Sequence, residues 1–116
     1  MEIKQPQAGQ PPEVDWDIFE GGVGAELVLP ATETGGVRVY DVLFPPGART
    51  VWHTHTVDQL LVVTEGRGIV ATEDVEREVS VGDVITFPAG ERHWHGATVE
   101  TAMRHLAIMN EGEDLH

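Results

Sequence analysis

Two histidine pairs carry the densest chemistry in this chain: His53 and His55 in VWHTH, and His93 and His95 in RHWH. In an extended strand successive side chains alternate faces, so each His-x-His pair aims two imidazoles into one space. Trp52, Thr54 and Trp94 then face away, outside the barrel or toward a subunit interface. Imidazole suits zinc, copper, iron and nickel, and an added oxygen ligand brings manganese into range. The sequence holds no cysteine, which removes thiolate sites, disulfides and cysteine nucleophiles. The pattern points to a metal centre of imidazole nitrogen.

The same parity places Met103, His105, Ala107 and Met109 on one face of TAMRHLAIM. Tyr40 and Val42 share a face of VRVYDVLF, and Leu61 shares one with Gln59. These side chains are candidates for the wall of a substrate pocket. They are equally candidates for ordinary core, because half of every barrel strand faces inward.

The elements that must position these residues read as short strands. Thirteen glycines and seven prolines in 116 residues supply frequent turns. VRVYDVLF is β-branched and aromatic, and PPG ends it. ARTVWHTH reads as one extended strand up to Thr56–Asp58. Residues 59–64 and 69–72 flank EGRG and read as a hairpin. Earlier, residues 15–20 form a turn or an aromatic anchor through Trp16 and Phe19, and residues 26–29 a strand ended by Pro30 before the loop ATETGG. Later strands fall at 76–79, VITF and 101–109. With no convincing helix, the class is all-β, an antiparallel barrel or sandwich in one domain. Its parts are an arm with first short strands at 1–36, a barrel body at 37–110 and an acidic tail at 111–116.

A net charge of −13, with six arginines and the single Lys4 as the only fixed cations, repels phosphate backbones and anionic membranes. Nucleic acid and membrane are therefore not expected partners; a small-molecule substrate is. The same acidity is either a plain solubilising surface or an adaptation to high salt. MEIKQPQAGQPPEVDW lacks the basic and apolar regions of a signal peptide, and no apolar run approaches the ~18–20 residues of a membrane span, so a cytoplasmic location is the expectation.

The glycine and proline spacing around the histidines is specific. Gly47, five residues, His53, one, His55, three, Gln59, six, Gly66 is followed by Gly82, five residues, Pro88, one, Gly90, two, His93, three, Ala97. This resembles the paired motifs of the cupin superfamily, G-x5-H-x-H-x3,4-E-x6-G and G-x5-P-x-G-x2-H-x3-N. The resemblance implies a small antiparallel β-barrel, a jelly roll, holding one divalent metal on His53, His55, Gln59 and His93. Gln59 stands where that family has glutamate, and Ala97 where it has asparagine. Ala97 concerns a turn and changes little. Gln59 either binds the ion directly, leaving both units of metal charge in place, or sits beside a three-histidine site.

GARTVWHTH, the glutamine, HWHGA and TAMRHLAI are similar to small bacterial cupin-type hydroxynitrile lyases and to cupins associated with carboxymuconolactone decarboxylase. That resemblance implies manganese, with iron, zinc or nickel as alternatives, and cleavage or synthesis of a cyanohydrin. His105 is the candidate base, and its other reading is a buried histidine bonded to backbone. His95 fits a partner of the ligands, a pocket residue or a surface residue. Tyr40, Val42, Leu61, Met103 and Met109 complete the expected pocket, and small cupins associate as homodimers or homotetramers. A metal-dependent dioxygenase and a non-catalytic metal- or ligand-binding cupin are the rival functions.

Overall fold

The structure is a computed structural model that describes residues 1, 3–6, 9–29 and 36–116. Eleven strands and no α-helix are present among the described residues, so none of them forms a helix long and apolar enough to cross a membrane. Strands are β1 (Phe19–Glu20), β2 (Gly24–Leu29), β3 (Val37–Phe44), β4 (Arg49–Thr50), β5 (Thr54–His55), β6 (Gln59–Thr72), β7 (Glu76–Ser80), β8 (Val84–Phe87), β9 (His93–Ala97), β10 (Met103–Asn110) and β11 (Asp114–Leu115). Pro30 and most of ATETGG lie outside the described residues.

Every ladder is antiparallel, and β6 belongs to two of the curled layers. Its first half pairs with β8 and β10, with β3 and β2 beyond. Its second half pairs with β7 and β9, with β4 and β1 beyond. The expected hairpin at EGRG is therefore corrected: residues 59–72 are one bent strand. Gly66 makes the bend, with φ of 71°, and a side chain there would run into the Ala102 carbonyl. Two glycines near a charged pair read as a turn in sequence, but here they let one strand cross between layers.

The fold is thus an all-β antiparallel barrel, and the apolar residues between its layers form the core. Phe44, Leu61, Val63, Met103 and Phe87 are all buried there. Truncating Phe44, which has no exposed surface, would cost about 3–5 kcal/mol. Along β10 the register against β3 is unbroken, whereas against β6 it shifts between Arg104 and His105. The extra residue is Thr64, whose hydroxyl donates to the Arg104 carbonyl at 3.2 Å. A bulge beside a site re-aims the side chains that follow, and His105 is the next one.

ARTVWHTH is also corrected from one strand to two short ones with a break at Val51–Trp52. The face parity survives the break: His53 and His55 are buried, while Trp52 and Thr54 are half-buried. Trp94, on the face away from the histidines, packs under an arginine. It is 8% exposed, with the Arg49 guanidinium 3.7 Å from the centre of its ring.

Candidate metal centre

His53 and His93 face each other as a backbone pair, the amide of each donating to the carbonyl of the other at 3.0 and 2.9 Å. His55 follows on β5, and Gln59 opens β6, paired with Phe87. Residues 88–90 turn sharply between β8 and β9. Gly90 has φ of 81°, and its amide reaches the His55 carbonyl at 2.9 Å. That turn ties the second motif to the first. Phe87 stacks on the His93 ring at 3.8 Å and fixes its plane.

Hydrogen bonds set the tautomers. His53 Nδ1 donates to the Val51 carbonyl at 2.7 Å, and His93 Nδ1 to the Glu91 carbonyl at 2.8 Å. His55 Nδ1 donates to the Asp114 carboxylate at 2.6 Å. Each ring therefore turns a bare Nε2 lone pair inward. Gln59 Oε1 lies 3.1 Å from His55 Nε2 and 3.3 Å from His93 Nε2, while its amide N–H points to Met109 Sδ at 3.9 Å. His53 Nε2 is buried without a hydrogen-bond partner among the described residues.

Three imidazole lone pairs and one amide oxygen thus converge with no proton between them. Acceptors repel at this spacing unless a cation sits among them. The three histidines form a group that can hold a metal ion, their ligand atoms lying within 4.8 Å of one another. Their protonation state fits: burial lowers the pKa of His53 to about 4 and of His93 to about 3, so both are neutral at pH 7. The hydrogen bond from His55 pulls Asp114 below its usual value, keeping that carboxylate ionised.

A cavity of about 130 Å³ adjoins the cluster. Tyr40, Val42, His95, His105 and Met109, all expected at the pocket, lie on its wall. Leu61 and Met103 do not, which corrects their assignment: each is 1% exposed and packed in the apolar core. Met103 has the right parity, but it sits opposite Phe44 at the other end of β10 from Met109. His95 and His105 are a buried pair, Nδ1 of the first 3.1 Å from Nε2 of the second. Burial holds His95 well below its usual value and lowers His105 to about 4. His105 Nδ1 makes no hydrogen bond of ordinary geometry among the described residues, while the backbone at Leu106 and at His105 itself lies close enough to oppose part of the lowering.

Sequence reasoning missed four contributors. Trp16 and Phe19 stack at 5.6 Å over one side of the cavity, Arg38 lies beside Tyr40, and Asp114 orients His55. The aromatic pair was visible as an anchor but not as a wall. Nothing in NEGEDLH marks Asp114 among its acidic neighbours.

Residues 40–109 match the family model described as Cupin domain. The chain is 45% identical over 111 residues to an (R)-mandelonitrile lyase of Granulicella tundricola, covering 93% of this chain and 83% of the relative. It is 33% identical over 66 residues to an acireductone dioxygenase of Parasynechococcus marenigrum, covering 53% of this chain but only 35% of that protein. A solved cupin-like protein of Thermotoga maritima superposes with a TM-score of 0.81 at 35% identity, over 88% of this chain and 78% of its own.

Proposed function

The chain belongs to the cupin family, and we propose that it is a metal-dependent lyase that cleaves and forms cyanohydrins, with manganese on His53, His55, Gln59 and His93. The observation that carries the reading is the convergence of three imidazoles and an amide oxygen, with His53, His55 and Gln59 lining a small cavity that also holds a second, neutral histidine pair. A divalent ion there supplies Lewis acidity, undiminished by any anionic ligand, to a substrate oxygen. An apolar cavity of about 150 Å³ accommodates benzene, so this one suits a single ring or a short chain.

In the cleavage direction the His95–His105 pair accepts the hydroxyl proton as the carbon–nitrile bond breaks. Cyanide leaves with the bonding electrons, the carbonyl forms, and the proton then passes to cyanide. Both rings are neutral at pH 7 because they are buried, which leaves one free to act as base. Trp16, Phe19 and Val42 keep water from the reacting carbon. The same proposal includes a small-molecule substrate, a cytoplasmic homodimer or homotetramer, and no nucleic-acid or membrane partner, in keeping with a charge of −13.

The test is metal analysis of the purified protein, then cyanide release from racemic mandelonitrile after reconstitution with manganese, iron, zinc and nickel. Manganese-dependent release of cyanide supports the lyase. The partial similarity to a dioxygenase favours a second reading, which requires oxygen uptake with iron alone. Tight ligand binding with no turnover under any metal would leave a non-catalytic binding protein.

A further inference from the structure

We propose that Arg38 and Tyr40 form an anion anchor in this cavity, so that its substrate carries a carboxylate remote from the reacting carbon. The inference rests on the lyase reading for the reaction and on separate observations for the anchor. Arg38 lies on the cavity wall, next to Met109 in the β3–β10 ladder. Its Nη1 donates to the Tyr40 hydroxyl at 3.3 Å, and its Nη2 to the Asn110 and Gly112 carbonyls at 3.4 and 3.5 Å. All three contacts are long, enough to hold the fork in place but not to satisfy it.

A guanidinium has five N–H donors. Here an Nη1 proton and the buried Nε–H have no acceptor among the described residues. Arg67, Arg92 and Arg104 each reach a carboxylate within 4.0 Å; Arg38, like Arg49 and Arg77, reaches none among the described residues, and of these three it alone lines the cavity. The acid on the cavity wall, Asp114, gives its hydrogen bond to His55; the Arg38 charge acts on it through space, without a contact within 4.0 Å. Tyr40 accepts a hydrogen bond from Arg38, so its own O–H is left to donate. The two side chains therefore present adjacent donors, the arrangement that charge-assisted pairing with a carboxylate uses. A charge of −13 repels anions at a distance, so selection of one must come from a local contact of this kind.

The experiment compares succinic semialdehyde with butanal, which share a four-carbon aldehyde and differ in the distal carboxylate. In cyanide addition the native protein should favour succinic semialdehyde by about tenfold or more in kcat/KM, the size of a charge-assisted hydrogen bond. Arg38→Met should lower kcat/KM for succinic semialdehyde about tenfold more than it lowers that for butanal, while Arg38→Lys restores part of the difference. Equal native rates, or equal losses on both aldehydes in Arg38→Met, overturn the anchor. Calorimetric titration of the metal-loaded protein with butyrate and with butyramide reads the anchor without turnover. Tighter binding of butyrate, lost in Arg38→Met at unchanged metal content, supports it even where no aldehyde reacts and the lyase reading fails. Butyrate affinity unchanged by Arg38→Met overturns it, because the carboxylate is then held elsewhere.

Discussion

Asp41 and Arg104 sit one residue from Val42 and His105 on the same two strands, yet the two sides of that ladder do opposite things with buried polarity. On one side, Arg104 Nε and Nη2 donate to the two Asp41 oxygens at 3.0 and 2.6 Å. Arg104 also reaches Glu65 at 3.4 Å, Pro6 O at 2.7 Å and the Gly9 carbonyl. Donors match acceptors, and the cluster ties the N-terminal arm to the barrel. On the other side, the centre at His53, His55, Gln59 and His93 has acceptors facing acceptors, and His105 Nδ1 is buried without a hydrogen bond of ordinary geometry among the described residues. A polar cluster that satisfies itself is structural; one that cannot is waiting for a ligand.

The comparison breaks most directly at His53. His53→Ala removes a lone pair that no protein group satisfies, so metal content, read by elemental analysis, should fall further than the ~10–100-fold of an outer-shell change. Cyanohydrin cleavage should fall with it. Full metal retention would mean that the ligand set is wrong. Asp41→Ala should do the reverse. It strands Arg104, whose side chain is 3% exposed, and a broken buried pair costs about 3–5 kcal/mol. Denaturant unfolding should register that loss, with metal stoichiometry of the folded fraction unchanged. Replacing both partners by apolar residues should cost less than Asp41→Ala alone.

A pH titration of chelator-treated protein sharpens the same contrast. His105 has its folded pKa lowered from 6.5 to about 4 by burial, and the group facing it is His95 on β9, also lowered. The unfolded chain takes up the His105 proton below pH 6.5, whereas the folded chain does so only near 4. Stability from this group is therefore complete above pH 6.5 and declines as pH falls toward 4, by up to about 3 kcal/mol. Asp114, a depressed carboxylate, acts in the same direction but only below its ordinary value of 3.8. His105→Phe should remove one group's share of the slope in the upper window, where the lowered His53, His93 and His95 keep the rest, and leave the lower window unchanged. An unchanged slope between pH 6.5 and 4 would show that His105 is not held neutral by the fold.

The sequence made the convergent histidines legible because strand parity and glycine spacing are local properties, and a break at Val51–Trp52 does not change which face a side chain takes. Gln59, four residues after His55, was legible for the same reason. Parity failed at Leu61 and Met103, since a face can be shared by cavity and core, and only distance along the strand separates them. The bend at Gly66 was misread as a hairpin because a strand that changes layers needs the same residues as a turn. Arg38 and Asp114 were invisible for a different reason. Their roles depend on β10 and β11 meeting strands far away in sequence, and no local pattern encodes that meeting.

Asp114 gives the smallest and most selective effect. It belongs to β11, which among the described residues pairs with β5 alone, Asp114 opposite His55. Its side chain is 49% exposed, so it contributes little to the fold, yet its carboxylate holds the His55 ring and tautomer through a 2.6 Å bond. Asp114→Ala should weaken metal binding by about 10–100-fold, with little change in the unfolding midpoint of chelator-treated protein. Asp114→Asn should fall between the two, because an amide oxygen still accepts the Nδ1 proton but no longer carries charge. Competition with a calibrated chelator separates these cases. If alanine binds metal as tightly as aspartate, the β5 backbone alone orients His55. If both variants weaken binding in that order, the tail belongs to the unsatisfied side of the barrel, and completes it from outside.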